Sequence, residues 1–194
     1  MIRACALLLA CLMALASPPA RADPFAIDYA YIFATHPDKT TRATLTERRL
    51  ELPGPVLLSE HTTRTGLRYD AEDQSGYGAA GCLFDRTAQI VAMMQLCPDL
   101  LTPEQSPALS QRLLDIARFY ARNTRPTIPD DRVIPALKTH LTNLRSQMTG
   151  RCPDPAIEQT DAVSFAHHLA SPLGKRQIDR ALSRPRLPVR GRCR

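Results

Sequence analysis

The chain has 194 residues, with 25 Lys and Arg against 19 Asp and Glu, a net charge of +6 and six cysteines. Its length suits one domain with a full hydrophobic core, and with no Trp and few aromatics that core must be mostly Leu, Ile, Val, Met and Ala. Arginine far outnumbers lysine (only Lys39, Lys138 and Lys175 are lysines), which reads first as a bias of the genome rather than as arginine chemistry.

The first 22 residues read as an export signal. Arg3 supplies a positive start, Ala4 to Ala16 form an apolar run interrupted only by Cys5 and Cys11, and Ser17-Pro18-Pro19 breaks it. Ala20-Arg21-Ala22 then gives the small-x-small pattern for cleavage before Asp23. The run is too short to span a bilayer as a helix, so the expected product is a soluble periplasmic or secreted chain without a transmembrane segment. Leu8-Leu9-Ala10-Cys11 loosely matches a lipoprotein box, but using it would leave a very short apolar run. The signal carries Arg3, Arg21 and no acid, so the remaining 172 residues hold a net +4.

Residues 23–81 show little periodicity and are expected to be irregular. Phe25, Ile27, Tyr29, Tyr31 and Phe33 alternate like a strand, yet Phe25, Tyr29 and Ile32 also fit one helix face after Asp23-Pro24. Arg49 to Leu52, Val56 to Ser59 and Leu67 to Tyr69 can form short strands around Pro53-Gly54-Pro55 and Gly66.

Residues 82–194 read as the helical, disulfide-bonded part. Asp85 is a possible cap for a helix with Ile90, Met94 and Cys97 on one face, ended by Pro98. Ser106-Pro107 opens a helix carrying Leu109, Leu113, Ile116 and Tyr120 at helical spacing. Pro126, Pro129 and Pro135 mark a stiff connection, and Leu137, Leu141, Leu144 and Met148 carry the next helix to Gly150. Asp161 caps a shorter helix through Val163, Ala166 and Leu169, and Ser171-Pro172 starts the last. The segment after Ser183 holds two prolines and a glycine and is expected to be extended. The predicted fold class is therefore mainly α: a small, disulfide-stabilised domain of four or five helices with an irregular N-terminal third.

Four cysteines remain beyond the signal: Cys82, Cys97, Cys152 and Cys193. An even count in an exported chain points to two disulfides, and the wide spacing without a C-x-x-C pair argues against a metal site. A helix from Asp85 to Leu96 would be about 18 Å long, too far for the three residues before it to bring Cys82 back to Cys97. In an up–down arrangement Cys97 and Cys152 fall at the same end, so the expected pairs are Cys97–Cys152 and Cys82–Cys193. Cys97-Pro98-Asp99 also recurs as Cys152-Pro153-Asp154, each followed by a similar helix start, so the two turns should look alike.

Motifs for chemistry are few. Gly76 to Gly81 matches G-x-G-x-x-G, but the acidic stretch before it carries no strand pattern, so it reads as a flexible turn and no cofactor is expected. In the His167-His168 pair the rings point about 100° apart on a helix, with His167 the more buried, and no metal spacing accompanies them. His140 reads as a partly buried helix residue beside the Leu137–Leu144 face. No G-x-S-x-G elbow is present. The acid pairs Asp130-Asp131 and Glu72-Asp73 read as solvated turn residues, although a hydrolase built from loop-borne carboxylates stays open as the alternative function.

The charge distribution is more informative. Residues 175–194 carry eight cations against Asp179, a net +7, so the rest of the mature chain is −3. Such an end either docks on the acidic body or binds anions, with Arg184, Arg186, Arg190 and Arg192 as the expected anion-binding residues. The leading expectation is an exported binding or interaction module of the cell envelope rather than an enzyme. Its partner would be an acidic protein or an anionic envelope component, and not nucleic acid.

Overall fold

The computed structural model describes residues 23–148, 152 and 161–191. The cleavage region, Arg192, Cys193 and the repeat copy beyond Cys152 lie outside them. Helix α1, Tyr29–Thr35, resolves the ambiguous N-terminal pattern as helical. It starts at Asp28, whose carboxylate accepts the Tyr31 amide at 2.9 Å, rather than at Asp23-Pro24. Ile32 and Phe33 are its buried residues.

The N-terminal third is not irregular. Strands β1 (Thr40–Arg42), β2 (Glu47–Leu52), β3 (Val56–Thr63) and β4 (Gly66–Asp73) form an antiparallel meander in that order. The register sets Leu50 opposite Leu58 and Leu58 opposite Ala71. These positions form the inner face, where Leu50, Val56 and Leu58 pack with Ile32 and Phe33 of α1. The outer face carries Arg49, Ser59 and Asp70 in one row, and those charges hide the period-two pattern beyond its most apolar stretches. One inward position, Glu60, is acidic and almost fully buried, and Arg48 clamps it through two bonds of 2.7 and 2.8 Å.

Five further helices follow: α2 (Ala80–Leu96), α3 (Gln105–Asn123), α4 (Asp130–Gln147), α5 (Asp161–Ala170) and α6 (Pro172–Ala181). The described residues thus hold six helices and a sheet instead of four or five helices alone. Helix α2 starts five residues before Asp85, which is free to face Arg190 instead of capping. Pro135 lies inside α4 rather than in the connection before it. Thr102 and Gln105 exchange side-chain bonds with each other's amides at the start of α3, a capping arrangement outside the Ser106-Pro107 signal. Ser171 caps α6 as expected, accepting the Gly174 amide at 3.1 Å.

The main core lies among α2, α3, α4 and α5, with Leu109, Leu113, Ile116 and Tyr120 of α3 buried as their spacing requires. Phe25 inserts from the N-terminal side, 4.6 Å from the Phe84 ring, and its carbonyl accepts the Tyr120 hydroxyl at 2.7 Å. Cys97 and Cys152 are bonded with their Cα atoms 5.5 Å apart, so the ends of α2 and α4 meet as the up–down argument requires. Cys82 Sγ lies 3.0 Å from the Arg190 carbonyl oxygen, so the extended tail reaches the cysteine for which Cys193 is the expected partner.

That tail is a buried strap. Arg186, Leu187 and Val189 are each less than one-tenth exposed, and Leu187 and Val189 join the core under the sheet. The Gly81 amide donates to the Val189 carbonyl at 3.1 Å, and a Cβ at Gly81 would collide with the Pro188 and Val189 carbonyls.

Arg186 locks the strap. Its Nε meets Asp73 Oδ2 at 2.6 Å, with both side chains at most 1% exposed. Nη1 donates to the Ala181 and Arg184 carbonyls, and Nη2 to that of Gly78. Asp73 Oδ1 accepts the Ser75 amide at 2.9 Å, so both charges are fully hydrogen-bonded. Arg186→Met is expected to cost about 3–5 kcal/mol in urea unfolding, because it strands a buried carboxylate. Adding Asp73→Leu should restore part of that loss; an unchanged midpoint for Arg186→Met would contradict the locking role.

Candidate functional site

Two concavities hold most of the unusual chemistry. The first is a polar pocket of about 330 Å³ lined by Asp23, Asp85, His140, Asn143 and Arg190 among others. It gathers the first described residue, α2, α4 and the tail. Arg190 stands between the two acids, with Nη2 3.2 Å from Asp23 and Nε 3.0 Å from Asp85. His140 Nδ1 lies 2.9 Å from Asp23 Oδ1, and its ring packs at a tilt against Phe84, with the ring centres 5.1 Å apart.

The two carboxyls are driven apart in acidity. Burial acts to raise Asp23, but hydrogen bonds from His140 and the Phe25 amide outweigh it and hold this carboxyl at about 2. At Asp85 burial prevails and raises the pKa, with Arg190 opposing it. Asp23 thus acts as a tether for three chain segments.

The second concavity, about 490 Å³, opens between α2, α5, α6 and the turn that precedes α2. Leu83, Phe165, Leu169, Ile178 and Ala181 supply apolar walls, and no carboxylate among the described residues lines it. Arg86 lines it, and two further guanidiniums stand over Tyr77, another lining residue. Arg86 lies 5.7 Å from the Phe165 ring, and Arg180 and Arg184 lie 5.8 and 5.4 Å from the Tyr77 ring. None of these three exposed arginines has a carboxylate partner among the described residues. A larger groove of about 1110 Å³ follows β4. Its charges answer one another, since Asp70 binds both Arg68 at 2.8 Å and His61 at 3.2 Å.

The four arginines expected to form one anion-binding end separate in the fold. Arg184 is exposed beside Tyr77, whereas Arg186 is sealed against Asp73 and Arg190 is drawn between Asp23 and Asp85. The latter two therefore serve the body's own electrostatics, because the −3 body supplies acids opposite them, buried at Asp73 and half-buried at Asp23 and Asp85. Arg192 lies outside the described residues. Arg86 and Tyr77 escaped the sequence reading: a single basic residue within α2 and an aromatic in a glycine turn carry no signal of convergence.

The other motifs resolve similarly. A strand does precede Gly76 to Gly81, since β4 runs through the acidic stretch, and Gly76 and Gly78 adopt positive φ of 76° and 84°. The helix start behind them is covered by the tail, whose Val189 carbonyl takes the Gly81 amide. His167 is exposed and contacts Gln105, while the half-buried His168 contacts Gln177, reversing their expected burial. Asp130 and Asp131 are solvated in the first turn of α4. Asp73 is not solvated, and Glu72, its neighbour on β4, faces out.

Comparison with known proteins gives no match to a family model, a curated protein or a solved structure.

Asp23→Asn should lower stability at pH 7, because the folded state depresses this carboxyl below its ordinary 3.8. The contribution is fully present above that value and is lost as pH falls through about 2. Urea unfolding should therefore show the two proteins converging between about pH 4 and pH 2. A difference that stays constant down to pH 2 would contradict the tether.

Proposed function

We propose that this chain is an exported binding protein of the cell envelope, and that the pocket between α2, α5 and α6 takes an amphiphile with an apolar chain and an anionic head. One observation carries the reading: apolar walls without a carboxylate among the described residues, lined by Arg86 and flanked at Tyr77 by Arg180 and Arg184. Apolar burial supplies most of the free energy of such a ligand, and convergent charges fix its orientation. Guanidinium forks suit both carboxylate and phosphate heads. The volume falls within the usual range for small-molecule sites, roughly 300–1,000 Å³. Export rests on the Arg3, Ala4–Ala16 and Ala20-Arg21-Ala22 pattern.

The arginines that remain at the surface also explain why a basic end would persist on an acidic body. Arg186 and Arg190 are consumed internally, and Arg180 and Arg184 are left over for a ligand.

Calorimetric titration with dodecanoate, below its micelle concentration, tests the reading. Saturable binding is expected, weakened by salt and by Arg86→Gln with Arg184→Gln, by about a hundredfold for the pair at about 1.5 kcal/mol per lost charged contact. Dodecanol should bind more weakly than dodecanoate. Equal affinity for the two, or no saturation by either dodecanoate or dodecyl phosphate, would overturn the assignment.

A further inference from the structure

The inner face of the sheet turns polar at one end. Beyond the buried row of Leu50 and Leu58, Arg42 pairs with Arg48, Arg48 with Glu60 and Glu60 with Tyr69, so these four share that face. A further cleft, of about 490 Å³, opens between this row and α1. Ala30, Phe33 and Ala34 of α1 and Pro37 just after it line the helix side, and the short alanine side chains leave room beside the Phe33 ring. Leu67, two residues before Tyr69 and therefore on the same face, lines the cleft and is 55% exposed.

Glu60 breaks the apolar pattern of the inner face. An apolar side chain would extend the core there, yet a carboxylate only 4% exposed takes the place, with Arg48 Nε and Nη2 donating to its two oxygens. Those bonds hold Glu60 below the ordinary carboxylate range in spite of its desolvation, so it stays ionised at neutral pH. A pair of this kind adds little net stability. Its effect is geometric, because it pins the half-exposed Arg48 side chain over the Phe33 ring, with Cζ 5.6 Å from the ring centre. Arg48 Nη1 is left without a hydrogen-bond partner among the described residues, and Arg42 beside it meets no carboxylate there. Two guanidiniums against one carboxylate give the lining a net charge of +1.

We propose that this cleft binds a small aromatic monocarboxylate, with its ring between α1 and Tyr69 and its carboxylate on Arg42 and the uncommitted edge of Arg48. The charge of the lining calls for a single anion, and guanidinium edges suit a pair of carboxylate oxygens. Phe33, Tyr69 and the Arg48 guanidinium are planar, and with Leu67 they favour a flat apolar body. The volume lies within the usual small-molecule range of roughly 300–1,000 Å³. Glu60 is a positioning residue, acting on the ligand through Arg48. The cleft shares no residue with the amphiphile pocket between α2, α5 and α6, so the two sites stand or fall separately.

Titration of the oxidised protein with hydrocinnamate, followed by calorimetry and NMR, tests the site. Saturable binding is expected, with shift changes at the Ala30 and Ala34 methyls and at Arg48 Nε–H. Arg42→Gln should weaken it about tenfold, as the loss of one charged contact. The same variant should keep the thermal midpoint, because the exposed Arg42 holds no carboxylate of the fold. Hydrocinnamyl alcohol, which lacks the charge, should bind about tenfold more weakly or worse. Arg86→Gln with Arg184→Gln should leave the affinity for hydrocinnamate as it is. No saturation, an alcohol that binds as tightly as the acid, or an affinity that Arg42→Gln does not change overturns the site. A loss confined to the Arg86 and Arg184 variant would put the acid in the amphiphile pocket and overturn it as well.

Discussion

A guanidinium without exposed surface, that of Arg186, meets the equally buried carboxylate of Asp73 at 2.6 Å, and the remaining architecture is arranged around that pair. Through its other nitrogens Arg186 ties the end of α6, the tail and the turn before α2 to the end of β4. A buried ion pair is stabilising only when both members are fully hydrogen-bonded. Here carbonyls left over at a helix end and in a turn answer the guanidinium, and the Ser75 amide answers the acid. The strap below it closes the space between the sheet and the helices. Leu187 and Val189 complete the apolar inner face of the sheet.

Arginine in the C-terminal part does two kinds of work, set by what the fold brings opposite each side chain. Where acids of the body face it, as at Arg186 and Arg190, it joins distant segments. Where aromatic rings face it, as at Arg86, Arg180 and Arg184, its charge is left for an outside partner. The same division separates the polar pocket, a point of closure within the chain, from the apolar one, a surface for ligand.

The helical half was legible in the sequence because α3 repeats Leu109, Leu113, Ile116 and Tyr120 at an unmistakable period. The Cys97–Cys152 pairing followed from helix length and direction. The sheet was only glimpsed, since its outer positions carry charges and one inner position is Glu60, so alternation survives only in fragments. The tail is extended as expected, and through Arg186 and Arg190 it docks on the body, one of the two outcomes that its charge left open. Prolines and arginines are surface residues by habit, and nothing local to Arg186 announces an aspartate that lies far back in the sequence, at position 73. The candidate pocket was hidden for the same reason: its rim comes from three separated stretches of chain.

The central claim is that the tail is an integral core element, inseparable from the global fold. Native-state hydrogen exchange at the Gly81 and Val189 amides, followed through rising denaturant, tests it most directly. Both amides are bonded within the strap region, to Val189 and Leu187 respectively. The account predicts that they exchange only through global unfolding, with a denaturant slope equal to that of the whole protein. Exchange through a smaller opening, with the helices still protected, would show that the strap detaches on its own and would contradict the claim.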